Sequence, residues 1–180
     1  MRYFLLALIS LFSCSEGIKT LPSSTGTNSE VVFAVNDALW ELRIDTLVRN
    51  TFGAAIQGLN QNETIFRVVQ INHSEFKSIL KTHKNIVIIT EGAKISSHKN
   101  KWASGQLVAH LGWDDDANNL VQSLKKLREI FVLKEVNSIR KSFAKLSQKK
   151  MEETLKLNFK IDCIVPKEYE IIENNESFFW

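Results

Sequence analysis

Cys14 is the residue to which the sequence gives the most definite chemistry. Leu11, Phe12 and Ser13 precede it, an aliphatic residue three before a thiol and a small one just before it. Bacterial lipoproteins receive a diacylglycerol at such a cysteine, although Phe12 is bulkier than the residue usual at its place. Ordinary secretion is the alternative, with Ser13 and Ser15 guiding a cut before Glu16. Lipid attachment at Cys14 is the preferred reading.

Other candidate chemistry is thin. His73, His83, His98 and His110 show no H-x-x-x-H spacing that would set two imidazoles on one helix face, so no metal site is expected. Cys163 lies in an apolar run and reads as an inert core thiol. With Cys14 acylated it has no disulfide partner. Asp114, Asp115 and Asp116 lack the alternate ligands and the sixth-position glycine of a calcium loop. They read instead as a helix start, where carboxylates satisfy free backbone N–H groups. A G-x-S-x-G elbow and a glycine-rich strand-to-helix turn are both missing, and residues 21–26 lack the lysine of a phosphate loop. No catalytic residue and no cofactor is therefore expected. Asn62, Asn72 and Asn175 open glycosylation tripeptides that matter only in a eukaryotic secretory route. Trp40 falls on a helix stripe and is expected in the core, whereas Trp102 and Trp113 are either core residues or binding anchors.

The elements that must position these residues begin with an export signal. Arg2 precedes an apolar run from Tyr3 to Phe12, about half the roughly 20 residues that a spanning helix needs. It reads as a cleaved signal over residues 1–13. Residues 14–30 then form a lipidated cysteine and a tether rich in Ser, Thr, Gly and Asn. Residues 31–180 read as a single α/β domain, with α+β as the variant.

Within that domain, 31–35 is a continuous apolar run, typical of a strand covered on both faces. Asn36 and Asp37 then cap a helix carrying Trp40, Ile44, Leu47 and Val48 on one stripe. A strand is predicted at 66–71 and a short helix at 74–82 with Phe76, Ile79 and Leu80 on one face. Further strands are expected at 86–89 and at 106–113, the latter antiparallel to the former. The long helix after Asp116 carries Leu120, Leu124, Leu127 and Phe131. Its stripe resumes out of phase as Val136, Ile139, Phe143 and Leu146, which predicts a break near 132–135. A short helix with Met151 and Leu155 and a strand at 161–165 complete a mixed, partly parallel sheet of about five strands with flanking helices.

Charge is uneven. Between Lys125 and Lys160 there are eleven Lys or Arg against four Asp or Glu, in a chain whose formal net charge is +3. Aromatic residues are not interleaved with these charges as in a stacking platform. The segment reads as a solvated helix face, with membrane-surface contact second and no nucleic-acid partner.

Several segments together resemble a known family. They are residues 21–26 leading into 31–35, the run Phe76, Leu80 and Thr82-His83-Lys84-Asn85-Ile86, then Trp102-Ala103 before Gln106-Leu107-Val108. The last is Phe159-Lys160-Ile161-Asp162 through Val165-Pro166-Lys167-Glu168-Tyr169. In this order they resemble the N-terminal half of the Bacteroidota envelope lipoproteins of domain of unknown function 4837. The resemblance implies an outer-membrane or other envelope address and carries no activity. Family members continue for about as long again, and the terminal Phe178, Phe179 and Trp180 read as a last strand or as the start of an unfinished element.

The expectation is thus a membrane-anchored envelope lipoprotein acting as a non-catalytic binding or assembly module. Its partners would be the membrane, through the lipid on Cys14, and an envelope protein. The alternative is an envelope hydrolase whose site is assembled from distant loops or from a missing C-terminal half.

Overall fold

A computed structural model describes residues 20–180. Cys14 and the signal read over residues 1–13 lie outside them.

Strand β1, Glu30–Ala34, is buried along almost its whole length. Because successive side chains alternate across a strand, Val31 and Phe33 enter one core while Val32 and Ala34 enter another. Helix α1 occupies residues 37–51, with a π-helical turn at Trp40–Ile44 between α-helical ends. It leads to β2, Arg67–Ile71, parallel to β1. A 3-10 turn, Ser78–Thr82, precedes β3, Asn85–Glu91, which pairs with β1 on its other side. Strands β4, Ser96–Lys99, and β5, Leu107–Trp113, follow. Helix α2, Ala117–Ala144, and helix α3, Lys149–Phe159, come last.

The sheet order is β2-β1-β3-β5-β4, with only the edge strand β4 antiparallel. This mixed, mostly parallel sheet with helices is the α/β class the sequence implies. Its two faces are unequally covered. Helices α1 and α2 close one face over a cluster in which Phe33, Phe52, Phe66 and Phe131 meet at ring distances of 5.2–6.3 Å. The other face is closed by Phe76, Leu80 and Trp102 from the 3-10 turn and loops.

Four expectations are corrected. Strand β5 is parallel to β3, not antiparallel, because β4 carries the chain back along the edge. Its Ser-Ser-His-Lys sequence is half-buried at Ser96 and exposed beyond it, so it has no apolar pattern to read. Helix α2 is unbroken at 132–135. Residues 117–144 contain neither Gly nor Pro, the usual causes of a kink. The out-of-phase stripe therefore turns off the sheet, leaving Val136, Ile139, Phe143 and Leu146 exposed. Residues 74–82 form no α-helix. Asn72 Oδ1 accepts from Ser74 N at 3.0 Å and Lys77 is extended, which resets the phase and leaves Ile79 70% exposed. Residues 161–165 form no sheet strand, and Cys163 is exposed rather than core. That segment serves α3 instead, where Val165 O accepts from Gln148 N and Val165 N donates to Glu152 Oε1.

Part of the segment read as a tether is bonded to the domain. Ser24 N donates to Ser104 O, Thr25 N to Thr82 O, Lys84 N to Thr25 O and Ser104 N to Pro22 O. Residues 22–25 are thus strapped to the amino ends of β3 and β5. Gly26 passes there with φ +91°, and a Cβ on it would lie 2.1 Å from His83 Nε2. At the other terminus residues 172–180 double back, with Ile172 N donating to Trp180 O and Phe179 against Phe159 at 5.7 Å. Phe178 and Trp180 stay exposed.

Candidate functional site

The order of the sheet determines where a ligand fits. From β1 the chain moves outward to β2, then crosses back to β3 on the opposite side of β1. At such a reversal the connections leave the carboxyl ends of the two middle strands in opposite directions and open a crevice between them. A crevice of about 790 Å³ lies at this point, within the size range of small-molecule sites.

Local sequence builds it from caps and strained turns. Asn36 leaves β1 extended and its Oδ1 accepts from Ala38 N at 3.0 Å, starting α1 beside the crevice. The π-helical turn holds Trp40 and Ile44 in the core and sets Leu42 and Arg43 along the crevice wall. Such turns cost helix regularity and recur at functional sites. Thr90 and Glu91 end β3, and Trp113, Asp114 and Asp115 follow from β5. Asp115 is left-handed at φ +64°, a conformation that non-glycine residues adopt at a cost. Gly112 is required, since a Cβ there would lie 2.2 Å from Ala93 O.

The rim is acidic. Arg43 Nη1 donates to Asp115 Oδ1 at 2.8 Å across the opening, with the side chains 56% and 69% exposed. Glu91 and Asp114 have no ion-pair partner among the described residues. Asp114 is held by Asp116 N and Asn119 Nδ2, both at 3.2 Å. His73 reaches the crevice from the loop after β2, and its buried Nε2 has no hydrogen-bond partner. Leu39, Ile89 and Trp113 supply apolar lining. Such a set can hold and orient a ligand that brings amino or hydroxyl groups.

A family model described as Domain of unknown function (DUF8532) matches residues 24–152. The chain belongs to this family. The DUF8532 segment runs from the strap through α2 and so contains every crevice residue. It is a different family from the one the sequence resembles, and its description names no activity. No curated protein and no solved structure matches the chain.

The histidines divide among three places. His73 is in the crevice. His83 is buried at the opposite end of the sheet, where Nε2 donates to Glu30 Oε1 at 2.8 Å and Nδ1 accepts from Asn85 N at 3.3 Å. His98 and His110 meet across β4 and β5 with ring centroids 6.1 Å apart, and Lys101 Nζ lies 3.1 Å from His110 Nε2. Burial, then Lys101, then His98 hold the His110 imidazole below its ordinary pKa. Spacing could not reveal that pair, because β4 has no strand signature. Among the described residues no three His, Cys, Asp or Glu side chains are arranged to hold a metal ion.

Trp40 is core, and Trp113 is both buried and crevice-lining. Trp102 packs on Phe76 at 5.9 Å and under Lys101 Nζ at 4.5 Å. Asp116 caps α2 as expected, accepting from Asn118 N at 2.8 Å and Asn119 N at 3.2 Å. Its neighbours Asp114 and Asp115 face the crevice as well, which the capping interpretation missed.

Proposed function

We propose that this chain is a non-catalytic binding module of the cell envelope, attached through a lipid on Cys14 and taking a small polar ligand in the switch-point crevice. The observation that carries the reading is the crevice itself, where a buried His73 Nε2 with no hydrogen-bond partner meets Glu91 and Asp114, neither of which has an ion-pair partner among the described residues. Two carboxylates outside the Arg43–Asp115 pair favour a ligand that donates, such as an amine or a polyol. A hydrolase that works through a side-chain hydroxyl needs it activated by an adjacent base. Thr90 is the one hydroxyl among the crevice-lining residues, and His73 Nε2 bonds to nothing, so no activated hydroxyl supports cleavage of that kind. The run Leu11-Phe12-Ser13-Cys14 and the resemblance to the envelope lipoproteins of domain of unknown function 4837 support the address.

Two measurements test this. Mass analysis of the mature N-terminus from native cells is expected to find a diacylated Cys14, and a free Glu16 terminus would sink the anchor. Ligand-observed NMR with a panel of small amines and sugars is expected to find binders that the Glu91→Gln, Asp114→Asn double variant loses. Binding unchanged in that variant would exclude the crevice.

A further inference from the structure

A second concavity, of about 530 Å³, lies at the opposite end of the sheet between the loop that follows β4 and the middle of α2. Its polar lining is unlike that of the crevice. Lys99, Lys134 and Lys141 are its charged residues, and no carboxylate is among those lining it. Leu107, Ile130 and Leu133 supply an apolar wall, with Leu133 62% exposed. A helix face that keeps leucine and isoleucine in solvent beside three ammonium groups suits a ligand with both an apolar body and a negative head.

Lys134 is fixed in this place. Its Nζ donates to Lys84 O at 2.9 Å and to Asn85 Oδ1 at 2.7 Å, which leaves one of its three hydrogens for a ligand. Behind it Asn85 Nδ2 donates to Glu135 Oε1 at 2.8 Å, and that carboxylate is 4.0 Å from Nζ. Burial first, then repulsion from Lys84, lower the Lys134 pKa to about 8, with Glu135 opposing. An anion in the concavity would relieve that penalty. Asn100 at φ +53° and Gly105 at φ +78° shape the far wall.

We infer that this concavity binds an amphipathic anion, a single carboxylate or phosphate headgroup carrying an acyl chain, with the head on Lys134 and Lys141 and the chain along Ile130 and Leu133. The inference stands on these residues and is independent of what occupies the crevice or modifies Cys14.

Among the described residues every buried core residue lies between Val31 and Val165, and the chain from Ser15 onward is the species to titrate. Calorimetry with dodecanoate and dodecyl phosphate is expected to give micromolar affinity, at least tenfold tighter than dodecanol. Lys141→Met and Lys99→Met, which touch no buried hydrogen bond, should each weaken binding several-fold, and Lys134→Met at least tenfold. Leu133→Ser should weaken binding of every ligand that carries the dodecyl chain and leave inorganic phosphate unaffected. Equal binding of dodecanol, equal binding of inorganic phosphate, or affinities unmoved by the lysine variants would each overturn the inference. The first would show an apolar groove only, the second a free-anion site, and the third a different location. Failure here leaves the crevice reading intact, since no crevice residue is altered.

Discussion

The two ends of the sheet differ in charge and in how their polar side chains are linked to one another. At the carboxyl end Glu91 and Asp114 have no ion-pair partner among the described residues, and the buried His73 Nε2 has no hydrogen-bond partner. At the amino end Glu30, His83, Asn85, Lys134 and Glu135 are joined in one partly buried hydrogen-bond network, in which only Glu135 Oε2 is buried without a partner. Helix α2 relates the two. Its N-terminus starts beside Asp114, Asp115 and Asp116, and its later turns carry the lysines. Acids at the start and bases toward the end complement the helix dipole, so one helix delivers opposite charge to opposite ends of the same strands. At about 1.5 Å per residue α2 runs some 42 Å, while a seven-residue strand covers about 23 Å. The overhang is where its second apolar stripe lies.

If the amino end is the structural end, the largest effect comes from breaking its network. Asn85→Ala removes the partner of buried Glu135 and of Lys134 Nζ, and is expected to cost about 3 kcal/mol in urea unfolding. Asp114→Asn at the crevice should cost under about 0.5 kcal/mol. Comparable costs at the two sites would erase the distinction. Next in size is a pH effect. Lys134 has a folded pKa of about 8, below its ordinary 10.5, so the unfolded chain binds the extra proton between those values and stability should rise with pH across that window. The penalty is fully present below pH 8. For a side chain still 24% exposed, solvent screening reduces the gain to about 1–2 kcal/mol. Urea midpoints at pH 7 and pH 10 should show this rise in the parent and not in Lys134→Met, and equal slopes would remove Lys134 as its source. The smallest change is expected from Arg43→Ala. Its ion pair with Asp115 is exposed on both sides, and such pairs contribute about 0–1 kcal/mol. A loss above that in thermal unfolding would make the crevice rim a structural clamp.

The sequence made the buried strands and the helix stripes legible because burial on both faces leaves an unmistakable apolar run at 31–35 and 86–89. It concealed β4, whose exposure removes that signal and whose descent reverses the direction of β5. The crevice was hidden for another reason. Asn36, Asp114 and Asp115 have a sufficient explanation as helix starts, and His73 belongs to no motif. Only the crossover from β2 to β3 brings these segments together, and crossover order is a property of the whole sheet. In the sequence Lys134 is one of eleven cations between Lys125 and Lys160, and only in the structure does its hydrogen bond to Asn85 set it apart.

The strap at residues 22–25 sets an orientation. Seven residues separate Cys14 from Pro22, and the eight Cα-to-Cα steps between them reach at most about 28 Å when fully extended. The strap is fastened at Ser104 and Thr82, beside the amino ends of the strands. A lipid on Cys14, as proposed, would therefore act as a short leash on one pole of the domain. The lysine-lined concavity would be held within reach of the bilayer, and the acidic crevice, a sheet's length farther out, would open toward whatever lies beyond it.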